Sequence, residues 1–140
     1  MTIQSQSLLV IGVLLLALVT VESGGVFLTR VVRGGVQSNA LQKSFFRAGH
    51  AHAAVLLVLS ILILSVIDAA QLSGPWTVIA RYGVPAAAIL MPAGFFLSVV
   101  GRDPVRPNRF VALLWAGVVC VTAGLIVAGI GILSAGISGL

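Results

Sequence analysis

What this sequence has least of is charge. Only 8% of its 140 residues are Asp, Glu, Lys or Arg, while 59% are hydrophobic; a soluble domain carries about a quarter charged residues. Such a chain lacks the polar surface that water requires. Its apolar runs are also too long for a water-soluble core, so an integral membrane protein is expected. Cysteine is equally scarce. Cys120 stands alone in an apolar run, which excludes a disulfide framework and paired-thiol chemistry. No basic residue precedes the first apolar run in "MTIQSQS", so the usual opening of a cleavable signal peptide is missing, and Leu8 onward reads as a retained span. Nucleotide signatures are missing too: "RVVRGG" has neither the spacing nor the lysine of a phosphate-binding loop, and no G-x-G-x-x-G occurs. No serine–histidine–acid set stands out, which argues against an enzyme. The formal charge of +5 would suggest nucleic acid in a soluble protein. Here the basic residues lie between apolar spans, where anionic lipid and membrane orientation account for them.

Four apolar segments are present, at about 8–28, 49–67, 78–100 and 110–133. Each approaches or exceeds the roughly 20 residues needed to cross the hydrocarbon core. Backbone groups facing lipid must be satisfied within their own segment, so each span is expected to be a helix. Continuous rather than alternating hydrophobicity excludes a transmembrane β-barrel. The fold class expected is therefore all-α, an integral membrane four-helix bundle forming one transmembrane domain over residues 1–140. Short linkers make consecutive helices antiparallel neighbours. Arg30, Arg33, Lys43 and Arg47 lie between spans one and two, and Arg102, Arg106 and Arg109 between spans three and four; only Arg81 lies on the other side. This asymmetry places both basic loops in the cytoplasm and both termini outside it. The location expected is a cytoplasmic membrane.

Small residues mark close packing. Gly124 to Ala128 and Gly131 to Ala135 are each four apart in span four, a spacing that lets helix backbones approach. Whether that face packs within the chain or against another subunit is open at this level. Pro85 and Pro92 remove helical hydrogen bonds from span three and should bend it.

Polar groups inside the membrane are costly and single out a candidate site. Glu22 precedes Arg30 by eight residues, roughly 12 Å along a helix, which leaves it within span one. His50 and His52 open span two, and an antiparallel neighbour brings them to nearly the level of Glu22. Residues two apart on a helix point roughly 160° apart, so both imidazoles clasp one ion only if Gly49 marks an irregular first turn. One inward histidine paired with Glu22 is therefore expected, with Arg47 nearby. Proton or ion handling, structural pairing, haem or transition-metal ligation and interfacial trim all remain open. Haem would need a second axial ligand, for which Met91 on span three is the candidate, although it lies deeper than either histidine. Tetrahedral zinc wants four ligands, and Glu22, His50 and His52 supply three. Asp68 and Arg81, at the opposite helix ends, are expected to form an interfacial pair.

At "FFRAGHAHAAVLLVLS" the chain resembles a group of small, uncharacterised bacterial membrane proteins with four spans and an H-x-H motif, here His50 and His52, opening the second helix. Its Ala/Gly-rich, arginine-bearing style is similar to that of actinobacterial members. A looser resemblance links the segment to histidine-bearing helices of haem–copper oxidase and nitric-oxide reductase catalytic subunits; those have about twelve spans and further histidines that this chain lacks. Three roles follow as expectations: a component of proton, ion or small-solute transport, an accessory subunit of a larger membrane complex or homo-oligomer, and a cofactor-binding redox protein. The first two are favoured, and neither is enzymatic.

Overall fold

The computed structural model of the chain describes residues 3–139, leaving residues 1, 2 and 140 of the expected domain outside it. It contains four helices: α1 (Ser5–Val32), α2 (Ala40–Ala69), α3 (Thr77–Ser98) and α4 (Val111–Ser138). All four are long and apolar enough to cross a membrane. No strand occurs among the described residues. At 1.5 Å per residue the 28 residues of α1 reach about 42 Å, beyond the roughly 30 Å hydrocarbon core. α2, with 30 residues, and α4, with 28, likewise exceed that thickness, while the 22 residues of α3 roughly match it.

α1, α2 and α4 run past the limits that hydrophobicity suggests, most of all α2, which begins at Ala40 rather than Gly49, whereas α3 keeps close to its expected span. Its start is a capping box. The Asn39 side chain accepts from the Gln42 N–H (2.9 Å), and the Asn39 N–H donates to Gln42 Oε1 (3.1 Å), which satisfies two otherwise orphaned donors. The preceding helix stops at a glycine. Gly34 takes a left-handed conformation (φ +77°), and Gly35 donates to the Arg30 carbonyl at 2.9 Å, the closure that ends many helices. His50 is thus well inside a regular helix. Gly49 opens no irregular turn; it lets α3 come close, since a Cβ there would sit 3.0 Å from Phe95 and Phe96.

Sequential helices pack side by side. α3 lies most intimately on α4, α2 on α3, and α1 on α2, whereas α1 makes no backbone approach to α3 or α4. The four-helix bundle is consequently open between α1 and α4. In lipid, helices associate through dispersion and close backbone approach rather than through release of water, and the α3–α4 seam shows how. A Cβ on Gly83 would fall 2.7 Å from both the Cys120 carbonyl oxygen and Gly124 Cα, and Gly94 lies equally hard against Leu114. Gly117, Gly124 and Ala128 are buried. The small-residue face of α4 thus packs within the chain, down to Gly131 against Leu72. Leu64 and Ile67 of α2 with Val84 and Ala87 of α3 form the fully buried centre, joined by Leu14 of α1. α3 continues through Pro85 and Pro92; these lack the N–H that would otherwise bond the carbonyls of Arg81 and Ala88.

Candidate functional site

The two histidines face different helices, as their spacing requires. His50 lies over the glycine pair of α1: a Cβ on Gly24 would come 3.2 Å from its Nδ1, and one on Gly25 3.7 Å from its Nε2. His52 turns toward α3, with its ring 5.0 Å from that of Phe95 and its Nδ1 donating to the Ala48 carbonyl at 2.7 Å. Both rings are half-buried. Around them runs an aromatic row. Phe46 is 5.4 Å from Phe27 of α1 and 5.8 Å from Phe96 of α3, and Phe45 is 5.6 Å from Phe95. These contacts tie three helices together at the basic end of the bundle.

Glu22 corrects the expectation of an inward pair. It is exposed, and among the described residues its carboxylate makes no hydrogen bond or ion pair with either histidine. The reason is rotational. Gly24, which meets His50, is two residues on and therefore roughly 200° around the helix at 3.6 residues per turn. The face of α1 turned toward α2 carries Leu14, Gly24 and Val31, and Glu22 stands outside it. Met91, the candidate second ligand, is buried against α4, where its side chain lies over Gly117. Arg47 is exposed, its Nε donating to the Lys43 carbonyl at 3.3 Å. Among the described residues no three of His, Cys, Asp and Glu gather within reach of one ion.

The polar groups that the fold does bring together lie elsewhere. Asp68 and Arg81 pair at 2.7 Å, with side chains 0% and 7% exposed. The expected pair thus forms, near the ends of its two helices and with both side chains buried within the protein. Arg81 also donates to the Ser7 hydroxyl, and the Gln4 N–H donates to the second Asp68 oxygen at 2.8 Å. Gln4 is the N-cap residue of α1, which has no side-chain cap and no acidic residue in its first turn. Asp68 supplies from α2 the negative charge that the N-terminal end of α1 favours. One carboxylate thus binds three helix ends.

A second polar lock closes the basic end. Asn39 Nδ2 donates to Asp103 Oδ1 (2.8 Å) and to the Pro104 carbonyl (2.7 Å), while Gln42 Nε2 donates to the carbonyls of Val99 and Gly101 (3.1 Å each). The residues that cap α2 therefore also hold the α3–α4 loop, where Gly101 and Asp103 have positive φ. Beside this lock opens a cleft of about 820 Å³ lined by Lys43, Arg102, Ser38 and Gln37, among others. Sequence reasoning missed Gln4, Ser7, Asn39 and Gln42. The N-x-x-Q pattern at 39–42 was a readable signal for the last two; nothing local marks Gln4 or Ser7. Compared with protein-family models, with curated proteins and with solved structures, the chain gives no match.

Proposed function

We propose that this multi-pass membrane protein is a non-enzymatic assembly subunit and that copies of it meet through α1. The observation that carries this reading is Glu22, a carboxyl group exposed in the membrane-spanning part of the helix with the least internal cover. Only 6% of the most apolar stretch of α1 is buried, against 39% for α2 and 44% for α3. An acid facing lipid is costly, and such groups turn toward protein or water. Leu15, Val19 and Val26 stand at i−7, i−3 and i+4 from Glu22 and are all exposed (52%, 60% and 58%). This 4-3-4 spacing is that of a helix–helix seam. Two copies with the same topology place their Glu22 residues at the same depth without further adjustment, and a two-fold interface pairs a surface with itself. A protonated carboxyl both donates and accepts, so two of them satisfy one another.

Orientation supports the same picture. Seven of the eight basic residues stand at one end of the helices, which assigns that end to the cytoplasm by the positive-inside rule. The resemblance to small bacterial four-span proteins with an H-x-H helix agrees with a bacterial cytoplasmic membrane. In this reading His50 and His52 hold α2 against α1 and α3.

Single cysteines introduced at Val19, Val26 and Ile130 in a Cys120→Ala background test the interface in native membranes. Val19→Cys and Val26→Cys are expected to cross-link between copies, and Ile130→Cys, exposed on α4 (62%), is not. Glu22→Gln should retain the cross-link because an amide also donates and accepts, whereas Glu22→Leu should weaken it. Equal cross-linking at all three sites would overturn the interface. A different polypeptide captured through α1, or pH-dependent flux in liposomes that Glu22→Gln abolishes, would replace self-assembly with a mixed complex or with transport.

A further inference from the structure

The basic end carries a second feature that self-assembly does not use. Lys43 lines two adjoining spaces. One is the cleft of about 820 Å³, where Lys43 and Arg102 face Ser38, Gln37 and the polar lock. The other is a groove of about 200 Å³ between α1 and α2, formed by Leu28, Val31 and Val32 with Lys43 and Arg47 at its rim. We infer that these two spaces form one binding site for an anionic phospholipid, the phosphate held between Lys43 and Arg102 in the cleft and an acyl chain lying in the apolar groove.

Charge, depth and shape each support the assignment. The one acidic residue lining the cleft is Asp103, whose Oδ1 already accepts from Asn39 Nδ2 at 2.8 Å. Two cations, Lys43 and Arg102, therefore face one carboxylate that is already engaged, and Arg47 adds a third beside the groove. Arg47 is turned along its helix toward Lys43 by the hydrogen bond to the Lys43 carbonyl. The site lies at the C-terminal end of α1 and the N-terminal end of α2, at headgroup level, where basic residues attract anionic lipid. The walls are also fixed. The Asn39 and Gln42 bonds hold the α3–α4 loop on one side, and the glycine closure at Gly34 and Gly35 ends α1 on the other. A free phosphate would use the cleft alone. The adjoining apolar groove favours the lipid.

The test uses the full chain in nanodiscs of phosphatidylcholine, with phosphatidylglycerol at one part in ten, and counts lipids retained by native mass spectrometry. Phosphatidylglycerol is expected to be retained at one per chain and phosphatidylcholine not. Lys43→Gln with Arg102→Gln should lower phosphatidylglycerol affinity roughly 30-fold, at about fivefold per surface cation removed. Arg30→Gln with Arg109→Gln, which removes equal charge from the same end but from neither space, should change it less than about threefold. Val32→Asn, which makes the groove polar without adding a charge beside Lys43, should lower lipid affinity while leaving inorganic phosphate binding unaltered. Equal loss in the two double variants, or equal retention of the two lipids, would overturn the site. Inorganic phosphate that competes as well as phosphatidylglycerol would assign the cleft to a free anion and overturn the lipid.

Discussion

A carboxylate and a guanidinium taken out of water together gain little net stability, yet removing one of them leaves the other stranded. Asp68 and Arg81 are in that position. Every polar contact of this cluster crosses between helices: Arg81 of α3 reaches Asp68 of α2 and Ser7 of α1, and Asp68 reaches the backbone of Gln4. Asp68→Ala should lower the stability of the bundle by about 3–5 kcal/mol, the usual cost of breaking a buried pair. Asp68→Leu combined with Arg81→Met should recover most of that loss, because no uncompensated charge remains. Reversible unfolding in mixed micelles would measure both. A double variant no more stable than Asp68→Ala would show that the pair itself, rather than the stranded charge, holds the three helix ends.

Between helices, the decisive contacts involve residues without side chains. Gly83 and Gly124 meet backbone to backbone, and a methyl on Gly83 has no flexible neighbour to displace. Gly83→Ala and Gly94→Ala should each destabilise by about 1–3 kcal/mol through overpacking, with α3 and α4 forced apart. Gly129 lies on the same helix as Gly124 but has no atom within 4 Å of where its Cβ would be. Gly129→Ala should be neutral or stabilising by up to about 1 kcal/mol, the difference in helix propensity. Thermal unfolding of the three variants in one detergent separates the cases. Similar behaviour at all three positions would mean that these glycines act through helix propensity and not through close approach.

For the molecule as a whole, the orientation proposed from the distribution of basic residues is open to direct measurement. With Cys120 replaced, cysteines at Ser38 and Asn108 should label only from the cytoplasmic side and one at Gln4 only from outside. Labelling of Ser38→Cys from outside alone would reverse the assignment and move the proposed lipid site to the other leaflet. The row-like arrangement matters here as well. Because the backbone of α1 approaches only that of α2, removing its contacts to α2 together with the Arg81–Ser7 hydrogen bond to α3 should release α1 before the α3–α4 pair separates.

Composition and long-range hydrophobicity by themselves determined that four helices cross a membrane and that their basic ends coincide, because a span needs only length and apolarity and each satisfies its own backbone. The opposed directions of His50 and His52 were legible for the same reason, since they follow from helical periodicity alone. Helix limits were less so. Lys43 and Arg47 lower the hydrophobicity of the first turns of α2 without disturbing its backbone, and only the capping box at Asn39 marks where it begins. Tertiary structure decided the rest. Whether Glu22 meets His50 depends on the rotation of α1 about its own axis, which is set by how Leu14, Gly24 and Val31 seat on α2. Whether the glycines of α4 pack inside the chain depends on the matching gap at Gly83. That Asp68 joins Gln4, Ser7 and Arg81 depends on three helix ends meeting at one level, a fact of packing that no stretch of sequence contains.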